Sequence, residues 1–319
     1  MTDDINSVLA FDLGGTYSKI WCDNKETELP SQESLSEAAE PMVLKSLRTW
    51  ITEWKPNAVA VGIALPCTMV PIQNDRRILG TSTKFARIAE GKHNGIIGAI
   101  EKAWERKLRR KVSILNDGEA AAIDVFDRLQ NKQNKNYRHV MVVTLGTSIG
   151  VGFIFNGKPY IGPYPSRASH IVLDPNGNWC ISENHRGCWK TIAGEKARRS
   201  LALNMGFRDP KDATRGMDSK LIAAEAKRGS KKARLYFNYY AEGVARGIAT
   251  IISAVPVQCV VIAGGVANAE DILTEPLKER LERGDILDPD LAPLIEIVRV
   301  EEFSVAHGAQ IYPYQAPIV

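Results

Sequence analysis

Val8-Leu-Ala-Phe-Asp-Leu-Gly-Gly-Thr16 is the stretch on which the reading of this chain turns. An apolar run of strand character closes on an acid, two glycines and a hydroxyl residue. Gly14 and Gly15 let the backbone approach an anion closely. The N–H groups there and the Thr16 hydroxyl suit phosphate oxygens, and Asp12 suits a magnesium ion, held directly or through water. Lys19 is grouped with this loop as a nucleotide contact. Glycines also end strands for plain hairpin reasons, so the weight of the motif depends on what recurs downstream.

The theme restarts in the second half. Val140-Met-Val-Val-Thr144 is a continuous run suited to a buried strand, and Gly146-Thr147-Ser148 follow it. The whole segment Thr144 to Gly152 is a second hairpin rich in glycine and hydroxyl residues. Cys259 to Val266 is another apolar strand closing on Gly264 and Gly265, and a helix N-terminus after it would face an anion. Between these, Leu115-Asn-Asp-Gly-Glu-Ala-Ala-Ala122 sets Asp117 at a strand end just before a helix. Asn116 and Asp117 there admit two compatible readings. They N-cap the helix, or Asp117 receives a proton in phosphoryl transfer with Asn116 beside it.

Strand patterns fall at Val8–Leu13, Lys19–Cys22, Ala58–Leu65, Val112–Leu115, Val140–Thr144, Val151–Phe155 and from Cys259. Asn156-Gly157 reads as a type I′ turn. Helical patterns cover Ala38–Trp54, Gly95–Arg109, Glu119–Gln130, Gly187–Leu203, Ser219–Lys227 and Ala233–Val255. Strands alternating with helices indicate an α/β protein. Two phosphate hairpins in two halves suggest two lobes facing a nucleotide in a cleft.

Composition excludes several classes. Of 319 residues, 44% are hydrophobic and 24% charged, which is ordinary for a globular chain long enough for two domains. No apolar run nears the roughly 18 residues of a membrane span. A net charge of +4 does not argue for nucleic acid, and the basic clusters at 106–111 and 227–234 read as solvated helix faces. The polar start Met1-Thr-Asp-Asp-Ile-Asn is no signal peptide. With five cysteines and no export signal, a cytoplasmic location with free thiols or metal-ligating thiols is expected.

In this order and spacing the four segments resemble those of a ROK-family sugar kinase, over nearly the full length from Val8 to about Ala309. The resemblance implies the two-lobed actin-like ATPase (ribonuclease H-like) fold. One lobe would be residues 1–118 with 303–319, the other 119–302. It further implies ATP and Mg2+, with Asp12, Gly14, Gly15 and Thr16 as the first phosphate loop, and Gly146, Thr147 and Ser148 in the second. Ala263–Ala267 would be the adenosine segment and Asp117 the general base. The family's repressors carry an additional N-terminal helix-turn-helix. With the phosphate loop starting at residue 12 there is no room for one here, and DNA binding is not expected. A homodimer is the family expectation.

His170 to Cys188 resembles the family's zinc segment, with a departure. His170, Cys180 and Cys188 match, Ser182 replaces the middle cysteine, and one extra residue precedes Gly187. His185 lies close by as a fourth ligand, so the reading is either a structural zinc site on His170, Cys180, His185 and Cys188 or a decayed site with two thiols. The acceptor pocket departs too. Where the family has a glutamate before the metal histidine and another after the last cysteine, this chain has Arg167 and Lys190. Exchanging acceptor-only groups for donor-only cations favours an acceptor bearing a carboxylate or phosphate, unless both side chains face solvent. Thr83 falls near an asparagine of the family's acceptor loop, and His170 and Asn116 complete the expected acceptor contacts. The acceptor would be a small sugar or sugar derivative. A non-catalytic ligand sensor on the same scaffold and a polyphosphate-dependent kinase are the competing readings.

Overall fold

β1 (Val8–Leu13) is the quoted run, buried along its length except at half-buried Asp12. The computed structural model describes residues 7–14, 18–29, 35, 38–78, 85–89, 91–133, 136–181, 184–255, 257–266, 269, 271–288, 290–291, 296–300 and 303–314. β1 pairs antiparallel with β2 (Ser18–Cys22), which turns at Asp23 and Asn24 into β3 (Lys25–Leu29). The first crossover is α1 (Glu40–Trp54), which buries Val43, Leu44, Leu47, Trp50 and Ile51, a stripe at helical spacing. The helix starts at Glu40 and not at the expected Ala38, with Ala39 extended as its N-cap, and Pro41 sits in the first turn, where a missing N–H costs nothing. β4 (Ala60–Leu65) then runs parallel to β1.

β5 (Met69–Ile72) and β6 (Asp75–Ile78) form a separate hairpin that the sequence reading passed over. After α2 (Ala86–Ala89) and α3 (Ile97–Leu108), β7 (Lys111–Asn116) pairs parallel with β4. The first sheet therefore runs β3-β2-β1-β4-β7. α4 (Asp117–Gln133) follows directly, starting two residues before the expected Glu119.

The second half repeats the plan. β8 (Val140–Leu145), β9 (Ile149–Phe155) and β10 (Lys158–Pro159) form one side, with Asn156 and Gly157 both at positive φ as a type I′ turn requires. Next come α5 (Pro163–Ala168), the short pair β11 (Trp179–Cys180) and β12 (His185–Arg186), α6 (Trp189–Ala193) and α7 (Glu195–Asn204). The single helix expected over Gly187–Leu203 is thus two, because extended Gly194 ends one and starts the next. α8 (Ser219–Lys227) and α9 (Lys231–Ile252) lead to β13 (Cys259–Ala263), α10 (Asp271–Glu282) and β14 (Glu296–Arg299). The sheet order is β10-β9-β8-β13-β14. α11 (Val305–Ile311) ends the described chain with a turn over Tyr312–Tyr314.

By contact, the chain divides into two units, Met1–Arg138 with Gly152–Arg167 and Ser304–Val319, and His139–Val151 with Ala168–Phe303. The boundary expected after residue 118 falls at the start of α4, and α4 belongs to the first unit. The reason is α11. Fully buried Asp124 on α4 accepts the Ser304 N–H at 2.9 Å and meets His307 Nδ1 at 2.5 Å, while Gln310 donates to the Val8 carbonyl at 2.8 Å. Among the described residues, no helix is long and apolar enough to cross a membrane.

Candidate active site

Within the first unit, strand register sets the chemistry at one edge. Asp12 pairs with Ala64, and Ala64 pairs with Leu115. Asp12 and the Asn116-Asp117 turn therefore stand at the carboxyl ends of parallel strands, two strand spacings or roughly 10 Å apart along the sheet. That end of an α/β sheet is where ligands bind. Gly14 is half-buried. Gly15 and Thr16 of the predicted phosphate loop, and Thr83 of the predicted acceptor loop, lie outside the described residues. Lys19 stands opposite Asp12 on β2 and ion-pairs with Glu26 at 2.9 Å. Burial works to lower the Lys19 ammonium, but Glu26, with Asp12 and Glu28, outweighs it and holds the group above its ordinary value.

The Asn116-Asp117 turn is built by reciprocal capping. Asn116 Oδ1 accepts the Gly118 N–H at 2.8 Å, and Glu119 Oε2 accepts the Asn116 N–H at 2.9 Å. Asn116 Nδ2 donates to the Cys67 carbonyl at 2.8 Å, so most of its amide is engaged inside the protein. Asp117 Oδ1 accepts the Gly118 N–H at 3.0 Å, which fixes the carboxylate on the first turn of α4. Asn116 is thus the residue that caps the helix, and Asp117 is half-buried at the helix start.

Glu119 is fully buried and collects more donors than a cap needs. Oε1 accepts the Gly162 N–H at 2.9 Å, and Arg76 Nη1, from the β5–β6 hairpin, reaches Oε2 at 3.1 Å. Burial pushes the Glu119 carboxyl up, Arg76 and the two N–H groups pull it back, and the Asp117 charge adds to the rise. Burial likewise pushes the neighbouring Cys67 thiol far up, with Asp117 and Glu119 contributing. Arg167, on α5, is half-buried.

In the second unit, Ala263 pairs with Thr144, which brings two glycine turns to one sheet end. Gly264, at φ +97°, lies so close to Leu145 that an added Cβ would stand 2.6 Å from its carbonyl oxygen, a position only glycine fills. The Val266 N–H then donates to that carbonyl at 3.2 Å. Gly146, Thr147 and Ser148 are exposed at the turn. Beneath them, buried Arg198 on α7 donates from Nη2 to the Gly146 carbonyl at 2.6 Å, and the N-terminal N–H of α7 reaches the Thr147 carbonyl at 3.3 Å. Beside Gly265 opens a cavity of about 300 Å³ walled by Ser219, Lys220, Ala223, Lys227 and Val266. Ser219 meets Tyr236 Oη at 2.9 Å, and that hydroxyl reaches the Arg198 carbonyl at 3.4 Å, so the cavity wall and the second loop share one polar network.

The four predicted metal ligands do meet. One ligand atom from each of His170, Cys180, His185 and Cys188 lies within 4.8 Å of all the others. Cys180 Sγ is 3.6 Å and Cys188 Sγ 3.8 Å from His170 Nδ1. Tetrahedral zinc with bonds of about 2.3 Å to sulfur and 2.0 Å to nitrogen sets such pairs roughly 3.5 Å apart, so the donor set fits. His185 Nε2 is buried with no hydrogen-bond partner, and burial pushes the Cys188 thiol up, both costs that a bound cation removes. Gly187, at φ +63°, makes the approach, since a Cβ there would collide with the Asp174 carbonyl. Ser182 and Glu183 lie outside the described residues. Lys190 is half-buried on α6, its backbone N–H bonded to the Ser169 carbonyl at 2.8 Å.

Sequence reasoning missed Arg76, Glu119, Arg198 and Lys220. Glu119 alone carried a local signal, the Asn-x-x-Glu spacing of a capping box.

Comparison with known proteins follows the same lines. The model of the ROK family matches residues 8–309. A glucokinase of Thermotoga maritima is 25% identical, covering 95% of this chain and 96% of its own. An N-acetylmannosamine kinase of Salmonella paratyphi B is 29% identical over 163 residues, 50% of this chain and 52% of its own. Among solved structures, a ROK family glucokinase from Streptomyces griseus in complex with glucose and AMPPNP superposes with a TM-score of 0.71 at 19% identity, over 96% of this chain and 98% of that one. The fold is that of the actin-like ATPases to which ROK sugar kinases belong.

Proposed function

The chain is a member of the ROK family, and from that premise we propose that it transfers the γ-phosphate of ATP to a hydroxyl of a hexose or hexose derivative. The observation that carries the reading is Asp117, fixed on the first turn of α4 at the sheet end that also carries Asp12. Asp117 orients the acceptor hydroxyl and takes its proton as the oxygen attacks phosphorus in line. Asp12 would hold Mg2+, whose charge offsets that of the phosphate oxygens. In the second loop the exposed Thr147 and Ser148 hydroxyls would donate to phosphate, the Gly146 N–H being bonded to the Ser148 carbonyl, and the cavity beside Gly265 suits the adenosine end. The relatives named as glucokinase and N-acetylmannosamine kinase support a sugar as acceptor.

Zinc held by His170, Cys180, His185 and Cys188 would be structural, with four protein ligands and no open position for chemistry. His170 turns Nδ1 to the thiols, so Nε2 is the atom that would meet a sugar hydroxyl. Arg167 and Lys190 favour an acceptor carrying a carboxylate or phosphate, which Arg167 would clamp bidentately. The test is ADP release with MgATP across glucose, mannose, N-acetylmannosamine, glucuronate and glucosamine. Turnover of at least one sugar is expected, with an acidic sugar favoured. No sugar-dependent turnover sinks the kinase reading, and faster turnover of glucose than of any acidic sugar sinks the anionic-acceptor part.

A further inference from the structure

A neutral glutamine at position 119 would close the capping box as well as glutamate does, so the charge of Glu119 needs its own explanation. Its carboxylate is fully buried and receives Asn116 N–H, Gly162 N–H and Arg76 Nη1, at 2.9, 2.9 and 3.1 Å. All three are donors, the surroundings of an ionised group. Arg76 is itself buried and bridges to the strand carrying the turn, donating from Nη2 to the Ile114 carbonyl at 2.9 Å. A buried ion pair is a poor source of net stability, since desolvation of both partners offsets their attraction. This one joins three segments, the β5–β6 hairpin, the β7–α4 junction and the turn at Gly162, around the residue pair Asn116-Asp117.

We propose that Arg76 and Glu119 are positioning residues for Asp117: their buried ion pair locks the turn that carries it and balances a second negative charge beside it. The inference rests on the reading of Asp117 as the base for its kinetic consequence, though not for its electrostatic one. Two carboxylates, Asp117 and Glu119, share this poorly solvated corner, and each raises the proton affinity of the other. Arg76 compensates. Among the described residues, the other titratable groups of the corner are the Cys67 thiol, Glu101 from α3, whose carboxylate accepts the Ile114 N–H at 2.7 Å, Asp75 on β6, and Tyr312 after α11.

The pair therefore makes a signed prediction. Glu119→Gln keeps the box and leaves Arg76 unopposed, which lowers the pKa of Asp117. Arg76→Met leaves the Glu119 charge uncompensated, which raises it. Each shift is expected at about 0.5 to 1 unit, and the double variant returns close to wild type. The measurement is carbon-13 NMR titration of the aspartate carboxyls in the full chain, with the Asp117 resonance assigned by its loss in Asp117→Asn. The acid limb of turnover, taken with MgATP and the best acceptor of the panel, should move with it, and kcat should fall about tenfold in each single variant while the KM for ATP stays unchanged. A merely structural pair would lower activity without shifts of opposite sign. Shifts absent or of one sign overturn the proposal, even where Asp117→Asn abolishes turnover. Opposite NMR shifts with full activity in Asp117→Asn uphold the electrostatic pairing and overturn the base reading instead. Should Arg76→Met fail to fold, the downward shift in Glu119→Gln decides alone.

Discussion

The Asn116–Glu119 turn and the His170–Cys188 loop both carry charged or polar groups, yet the fold treats them in opposite ways. At the turn, the named donors and acceptors answer one another inside the protein. Glu119 has its three donors, Asn116 its cap and the Cys67 carbonyl, Arg76 its carboxylate and carbonyl. At the loop, the Cys180 and Cys188 thiols stand 3.6 and 3.8 Å from His170 Nδ1, and His185 Nε2 is buried with no hydrogen-bond partner. The strands carrying Cys180 and His185 are two residues each, and Trp179 and Ile181 are 48% and 76% exposed. The turn closes on donors and acceptors of the protein itself, whereas the loop gathers four side chains of metal-ligating type.

Metal removal should break the contrast most visibly. One equivalent of zinc per chain is expected by elemental analysis, and either a strong chelator or Cys188→Ser should lower Tm by about 5 °C or more while the turn survives. A zinc-free protein of unchanged Tm would erase the difference between the regions. The next effect lies under the turn. Burial pushes the Glu101 carboxyl up to about 7 from its ordinary 4.5, against the pull of the Ile114 N–H and Arg76. Because the folded value is the higher one, the stabilisation is complete below pH 4.5 and is lost as pH rises towards 7. The loss is on the order of 3 kcal/mol. Glu101→Gln keeps an acceptor for Ile114 and should flatten that slope in urea unfolding between pH 4.5 and 8, and an unchanged slope would refute the assignment. The smallest effect concerns Arg198. Arg198→Met removes the bond to the Gly146 carbonyl and should raise the KM for ATP about tenfold with kcat nearly kept, read from initial rates. A change confined to kcat would mean that Arg198 does not serve the nucleotide loop.

Much of this was legible in the chain because the signals are local. Apolar runs such as Val8–Leu13 and Val140–Leu145 became central strands with their ends as expected within a residue, since continuous burial leaves one side-chain pattern. All four metal candidates sit within nineteen positions of one another, Cys188 being eighteen after His170, so a loop brings them together without help from the rest of the fold. The Arg76–Glu119 pair spans 43 positions, and nothing near Arg76 announces its partner. Asp124 and Ser304 are 180 apart, which is why the boundary after 118 misplaced α4. The break at Gly194 is not legible, because the apolar pattern runs on at helical spacing through a residue whose backbone is extended. Arg167 and Lys190 fall in different units.

On the proposed reading, Asp117 takes the proton of a sugar hydroxyl as that oxygen receives the γ-phosphate of ATP. Single-turnover transfer of labelled γ-phosphate to the best acceptor of the panel, in wild type and Asp117→Asn side by side, addresses it most directly. Asparagine keeps the size and an acceptor for the Gly118 N–H, so folding and ATP affinity should be unchanged while transfer slows about a thousandfold. Transfer by Asp117→Asn at the wild-type rate would mean that Asp117 is not the base.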